Sequence, residues 1–221
     1  MAVTAALVFA VAAGGTLAAQ RVQSGVLSLD LNAASLDVAW NADGTAEGSS
    51  GVIAVNESDL MPADEYIFDG TAENYTVQNS SAAGSMAAYV RVTITKYWCD
   101  DSEATIKDLE ADSSLVTLTS DEENWTSVTD PFAGRTKSET QVFYYKKPLQ
   151  PGESSTELLK SLSLNEAASN QYAEKVIRLD AKVDAVQYVP GDNELNEQAI
   201  LSAWGVQAEL NADGSIATIS N

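Results

Sequence analysis

The sequence lacks histidine altogether, contains a single cysteine and is poor in basic residues. Its 221 residues carry 12 Lys and Arg against 32 Asp and Glu, which gives a formal net charge of −20. Without histidine, neither the Ser-His-Asp nor the Cys-His mechanism is available, and the usual His-based zinc sites are excluded. A chain this acidic is repelled by phosphate backbones and anionic membranes, so we expect no nucleic-acid partner. One cysteine permits no internal disulfide.

The beginning of the chain is typical of an export signal. Residues 2–13 are uncharged and apolar, which is too short for the roughly 20 residues that span a bilayer but suits the core of a secretory signal. Small residues at Thr16 and Ala18 predict cleavage between Ala18 and Ala19. No Lys or Arg precedes the apolar run, and the alternative is a buried N-terminal helix. We therefore expect residues 1–18 to be a signal peptide that is removed, with no stable membrane insertion afterwards.

Most of the chain after the signal shows the period-2 alternation of half-buried strands. The two longest such stretches are residues 89–98 and 177–185, and the first is also rich in β-branched side chains. Shorter candidates share the pattern: 27–31, 36–40, 52–55, 75–77, 125–128, 141–145 and, as a strand or a short helix, 158–164. This pattern predicts an all-β fold for residues 19–221, a single β-sandwich domain with short helical insertions.

Two features near the C-terminus predict a helix followed by a hairpin. Residues 194–204 have a helical pattern in which Leu195, Ala199 and Trp204 share one face, and Gly205 ends the helix. A turn of the type Asn-Ala-Asp-Gly follows at residues 211–214, and it predicts a second tight connection between strands.

An acidic insert is predicted at about residues 100–123, a segment that contains nine acids and a single base, Lys107. Carboxylates are ligands for Ca²⁺, but the segment does not match the EF-hand loop. We therefore interpret these acids as a solvated surface that keeps the protein soluble, and we expect no metal and no cofactor.

The order of several motifs resembles the TasA/camelysin-like family of secreted proteins, whose export depends on a dedicated signal peptidase. The motifs are GGTLA at 14–18, SGVLSLDL at 24–31, DLMPADEY at 59–66, AYVRVTITKYW at 88–98, FYYKKPLQPGESSTELL at 143–159, VDAVQ at 183–187 and AWG at 203–205. Two departures are visible. Ala63 stands where the family usually has glycine, and residues 19–21 (Ala-Gln-Arg) replace the aromatic and Thr-Asp residues that often follow the cleavage site.

The resemblance implies a jelly-roll-like β-sandwich that is secreted and acts in the extracellular biofilm matrix or at the cell surface. Some relatives are fibre subunits joined by donor-strand exchange, so the implied partners are further copies or related matrix subunits, besides the signal peptidase during export. The candidate donor strand runs from Ala19 to Leu31. Its pocket-filling side chains would be Val22, Leu27, Leu29 and Leu31. The alternative is that residues 27–31 pair within their own subunit as its first strand.

Two other functions have to be weighed against a structural protein. Camelysin-type relatives imply a secreted metallo-endopeptidase, but no histidine metal motif is present, so we expect no enzyme activity. A monomeric module that binds a surface glycan or protein is the third class.

The cysteine and the tryptophans have both structural and functional interpretations. Cys99 at a strand end fits a buried thiol, with intermolecular pairing as the alternative. The four tryptophans, Trp40, Trp98, Trp125 and Trp204, are dispersed along the chain, which favours core packing over carbohydrate stacking.

Overall fold

A computed structural model describes residues 36–42, 45–46, 48–56, 62–68, 75–101, 103–128, 139–168, 172 and 175–220. Their strands, in chain order, are β1 Val38–Ala42, β2 Thr45–Ala46, β3 Ser50–Asn56, β4 Glu65–Ile67, β5 Tyr75–Asn79, β6 Ala88–Cys99, β7 Val116–Ser120, β8 Trp125–Val128, β9 Thr140–Tyr145, β10 Leu159–Leu164, β11 Val176–Gln187, β12 Gln207–Leu210 and β13 Ile216–Ser220. One α-helix, α1, spans Asn193–Trp204. The predicted all-β class is therefore confirmed.

The largest element is an antiparallel five-stranded sheet in the order β3-β11-β6-β9-β8. Its centre is the ladder between β6 and β11, which pairs twelve residues without a break from Ala88 opposite Gln187 to Cys99 opposite Val176. The alternation of apolar and polar residues fixes this register, since a slip by one residue would turn the apolar set outward. The two long strands that the sequence predicts are these two central strands.

The second layer consists of two three-stranded sheets, β2-β1-β5 and β4-β10-β7. The chain that leads into β10 runs beside β5 and connects them. In that stretch the Leu158 amide donates to the Tyr75 carbonyl at 2.8 Å, and the Ser155 amide donates to the Val77 carbonyl at 2.7 Å. The backbone groups on this side of β5 are thereby satisfied, and the two sheets form one continuous surface.

One hydrophobic core lies between the five-stranded sheet and the second layer. It combines residues from both, and its largest fully buried members are Trp40, Trp98, Trp125, Phe143, Ile94, Leu149, Leu158, Leu159, Leu162 and Ile177. Trp40 stacks on Tyr75 with a centroid distance of 5.7 Å, and Trp125 packs on Tyr145 at 5.0 Å. The structure thus has the two layers of a sandwich, and the jelly-roll connectivity stays a prediction.

The C-terminal unit, residues 188–220, forms a second core on the outer face of the five-stranded sheet. Helix α1 and the hairpin β12–β13 cover Tyr89 and Tyr144, with the fully buried Ile200 between them. The helix starts at the N-cap Asp192, whose carboxylate accepts from the Leu195 amide at 3.0 Å. It ends at Gly205, which takes the left-handed conformation with φ 71°.

The predicted helix is confirmed, but its predicted buried face is only partly right. The residues that are fully buried are Asn196 and Ile200, whereas Leu195, Ala199 and Trp204 are half-buried. Asn196 was missed because it is polar. Its amide donates to the Val189 carbonyl and accepts from the Val189 amide, and these bonds fasten the helix to the chain that leaves β11. The hairpin predicted at residues 211–214 is confirmed as the β12–β13 connection.

The predicted acidic insert is built into the fold. Residues 103–112 form an irregular loop over one end of the five-stranded sheet, and a 3₁₀ turn spans Ser113–Leu115. Strand β7 follows and pairs with β10, and its Val116 and Leu118 lie in the main core. No helix in the described part of the chain is long and apolar enough to cross a membrane.

Candidate functional site

The free side of β3 is the most conspicuous interaction feature of the sheet. This seven-residue strand, SGVIAVN, forms one edge of the five-stranded sheet and pairs only with β11 among the residues that the structure describes. It contains no charged residue and no proline. Proteins usually protect a long edge strand with lysine, proline or a bulge, because its unpaired N–H and C=O groups are a template for another strand.

The side chains of β3 alternate between the core and the outer face. Ile53 and Val55 point into the main core, whereas Val52, the third residue of the strand, is 50% exposed on the outer face. A strand added beside β3 would therefore find main-chain hydrogen bonds along its length and apolar neighbours on both sides of the sheet.

The open face is the part of the outer surface of the five-stranded sheet that the C-terminal unit leaves uncovered. It consists of the outward residues Ser50, Val52, Thr93, Thr95, Tyr97, Arg178, Asp180 and Lys182. A shallow open groove with a volume of about 660 Å³ runs across most of it, beside the β3 edge. The edge and the open face thus form one continuous surface.

Hydrogen bonds fix the charged side chains at one end of the open face. Asp180 accepts from the Tyr97 hydroxyl and from Arg178 Nε, both at 2.7 Å, while Arg178 Nη1 donates to the Ala104 carbonyl at 2.8 Å. Burial and then the hydrogen bond to Asp180 raise the pKa of Tyr97 to about 12. Asp180 also raises the pKa of the Arg178 guanidinium. Tyr97 is therefore a neutral donor at ordinary pH, and both oxygens of Asp180 are occupied.

At the border between the open face and the C-terminal unit, the carboxylate of Asp184 contacts two cations. Asp184 Oδ2 lies 2.9 Å from Arg91 Nη2, and Asp184 Oδ1 lies 3.3 Å from Lys182 Nζ. Arg91 also stacks on the Trp204 ring, 5.3 Å from its centroid. The Lys182 side chain is 69% exposed, so its ammonium group remains accessible from solvent. On the outer face of β6 and β11, the three bases Arg91, Arg178 and Lys182 outnumber the two acids Asp180 and Asp184, which leaves a local excess of positive charge on a strongly acidic protein.

Two acids of the loop at 100–112 are neutralised by Lys175, a base that lies far from the loop in the sequence. Lys175 Nζ bridges Asp100 Oδ1 at 2.5 Å and Asp108 Oδ2 at 2.7 Å, and Lys107 pairs with Glu139 at 2.6 Å. The hydrogen bond from Lys175 lowers the pKa of Asp108. These contacts tie the loop to the start of β11, and no group of three or more acids or thiols in the described ranges is arranged to hold a metal ion.

Cys99 is fully buried, as the sequence predicts. Its thiol lies under the loop with Ala104 and Val176, and burial raises its pKa, so the reactive thiolate is disfavoured. Of the four tryptophans, three are buried in the main core and Trp204 is half-buried against Tyr144, which confirms the expectation of core packing.

The residues predicted for signal cleavage and for the donor strand lie outside the described residues: Ala18, Ala19, Val22, Leu27, Leu29 and Leu31. The β3 edge and the open face were missed at the sequence level. The sequence feature that could have indicated the β3 edge is the absence of charged residues over 50–56.

Comparison with known proteins returned no similarity: no family description, no curated protein and no solved structure matches this chain.

Proposed function

We propose that this chain is an exported structural protein of the cell surface or biofilm matrix, and that copies assemble by adding a strand to the β3 edge. The observation that carries the proposal is the edge itself, which is seven residues long, uncharged, and paired on one side only among the described residues. An added strand satisfies the free backbone groups, and this gives affinity without any dedicated ligand pocket.

The proposed donor is residues 19–31 of a second copy. Leu27, Leu29 and Leu31 alternate with Ser28 and Asp30, so one side of such a strand is apolar and the other polar. That pattern suits a position beside β3, whose Ile53 and Val55 face the core while its opposite face is open to solvent. The TasA/camelysin-like resemblance supports the same assignment, because some proteins of that family are exported fibre subunits joined through N-terminal strands.

The test changes the acceptor edge and leaves the donor intact. Val52→Lys places a charged side chain on β3 beside the position of the added strand. Natural edge strands use lysine in this way to prevent pairing. The variant should therefore form no filaments of the processed protein in electron microscopy. Val52 is half-exposed, so the folded structure should be retained in circular dichroism. The matched control is Ala167→Lys, which adds the same charge at an exposed turn residue away from β3.

A second variant removes the first six residues of the donor. Deletion of residues 19–24 should prevent assembly and leave the circular dichroism unchanged. Normal filaments from the truncated protein would exclude a role of residues 19–24 in the donor, and filaments from Val52→Lys equal to those of Ala167→Lys would exclude the β3 edge. Casein hydrolysis that a chelator abolishes would instead identify the protein as a peptidase.

A further inference from the structure

We infer that the open face is a second contact site between copies, which receives the acidic C-terminal unit of a neighbouring copy independently of any donor strand. The inference goes beyond strand addition because it involves neither the β3 backbone edge nor the N-terminal residues. It rests on the shape, the charge and the exposed apolar side chains of the described residues.

The outer face of the five-stranded sheet is divided into a covered part and an open part. Helix α1 and the hairpin β12–β13 stand on the part of the sheet that contains Tyr89 and Tyr144, and they leave the groove along β3 and β11 open. The outer face therefore has a raised half and a lower half. In a pair of copies related by a two-fold axis, each raised half faces the lower half of the partner, so one contact is formed twice.

The charges of the two halves are complementary. The C-terminal unit carries the acids Asp192, Glu194, Glu197, Glu209 and Asp213 and no base. The lower half carries the local excess of positive charge described above. Its most accessible cation is Lys182, which shares Asp184 with Arg91 and is therefore incompletely neutralised. Complementary patches of this kind select one orientation of approach among molecules that otherwise repel one another.

Both halves also expose an apolar side chain that the monomer does not cover. Leu201 on α1 is 47% exposed, and Val52 beside the groove is 50% exposed. Burial of these two groups adds a short-range contribution to the contact that salt does not screen.

The test measures the oligomeric state by sedimentation velocity over a range of concentrations, both for the full chain after filaments have been removed and for the chain without residues 19–31. A reversible dimer is expected at about 0.15 M salt, where charges are screened beyond about 8 Å. Lys182→Glu should raise the dimer dissociation constant by about tenfold or more, equivalent to loss of one good ion pair. Lys160→Glu, on the exposed side of β10, changes the net charge equally and should have a much smaller effect.

The acidic side is tested by a pair of substitutions that both reduce the overall repulsion. Glu194→Lys on α1 should weaken the dimer although it lowers the net negative charge, whereas Glu122→Lys in the turn before β8 should leave it unchanged or strengthen it. Deletion of residues 19–31 should not affect the dimer, which separates this contact from strand addition. A chain that stays monomeric over the whole concentration range, or equal effects of Lys182→Glu and Lys160→Glu, would overturn the inference.

Discussion

Two alanines with left-handed backbone allow the cost of that conformation to be separated from the value of a buried methyl group. Ala63, in the turn before β4, has φ 71°, and Ala104, in the loop over Cys99, has φ 53°. An L-residue pays roughly 1–2 kcal/mol for this region, and glycine adopts it without that cost. Glycine also increases the conformational entropy of the unfolded chain, and this lowers the gain in stability by about 0.4–1 kcal/mol.

The two sites differ in what the methyl group contacts. Ala63 is exposed, so Ala63→Gly should stabilise the protein by about 0.5–1 kcal/mol, or about 1–4 °C in Tm for a chain of this length. Ala104 is only 2% exposed and packs with Cys99 and Val176. Loss of its buried methyl costs about 0.8 kcal/mol, so Ala104→Gly should be close to neutral.

The assay is equilibrium urea unfolding followed by tryptophan fluorescence, with the wild type and both variants measured in the same buffer. The difference between the two variants is the informative quantity, because the change in the unfolded state is the same for both. Destabilisation by Ala63→Gly, or a larger gain from Ala104→Gly than from Ala63→Gly, would refute the reasoning.

Two further predictions concern individual side chains. Tyr97, whose pKa is raised to about 12, should titrate later than an ordinary tyrosine in an ultraviolet titration of tyrosinate. Tyr97→Phe should reduce the late-titrating signal by one tyrosine and leave the contributions of Tyr89 and Tyr144, whose pKa values burial also raises. The pKa of Tyr97 in the folded protein lies above its unfolded value of about 10. The contribution of neutral Tyr97 to the free energy of unfolding is therefore complete below pH 10 and is lost as the pH rises towards 12. An unchanged alkaline titration in Tyr97→Phe would contradict this assignment. Cys99 should resist a thiol reagent in the native protein and react at once in denaturant, and rapid native labelling or a disulfide-linked dimer would show that it is not buried.

The sequence predicted the strands well where one face of the strand is buried and every second side chain is therefore apolar. Strands β6 and β11 lie where the alternation of residues 89–98 and 177–185 placed them, because burial of one face leaves a strong pattern. The ambiguity over residues 158–164 had a physical cause. Four leucines in seven residues fit either period, and only pairing with β4 and β7 decides for a strand.

The surface features could not be predicted in the same way. The uncharged sequence of β3 indicates an interaction site only once the strand order shows that β3 lies at the edge of the sheet. The pairing of Lys175 with Asp100 and Asp108 joins residues that are far apart in the sequence, so composition alone made that loop look uniformly acidic. Ala63 is the exception. The motif resemblance predicted a turn at this position, and the structure shows that Ala63 has a positive φ.

The twelve-residue ladder between β6 and β11 also determines how this protein has to fold. The partners in that ladder are roughly eighty to a hundred residues apart in the chain, so the central pairing of the sandwich forms only after a very large loop has closed. Folding should accordingly be slow compared with that of helical proteins of the same size, since few local contacts can form a stable nucleus first. Until the C-terminal third of the chain is available, strand β6 has no β11 to pair with, and its apolar side chains stay open to other partners.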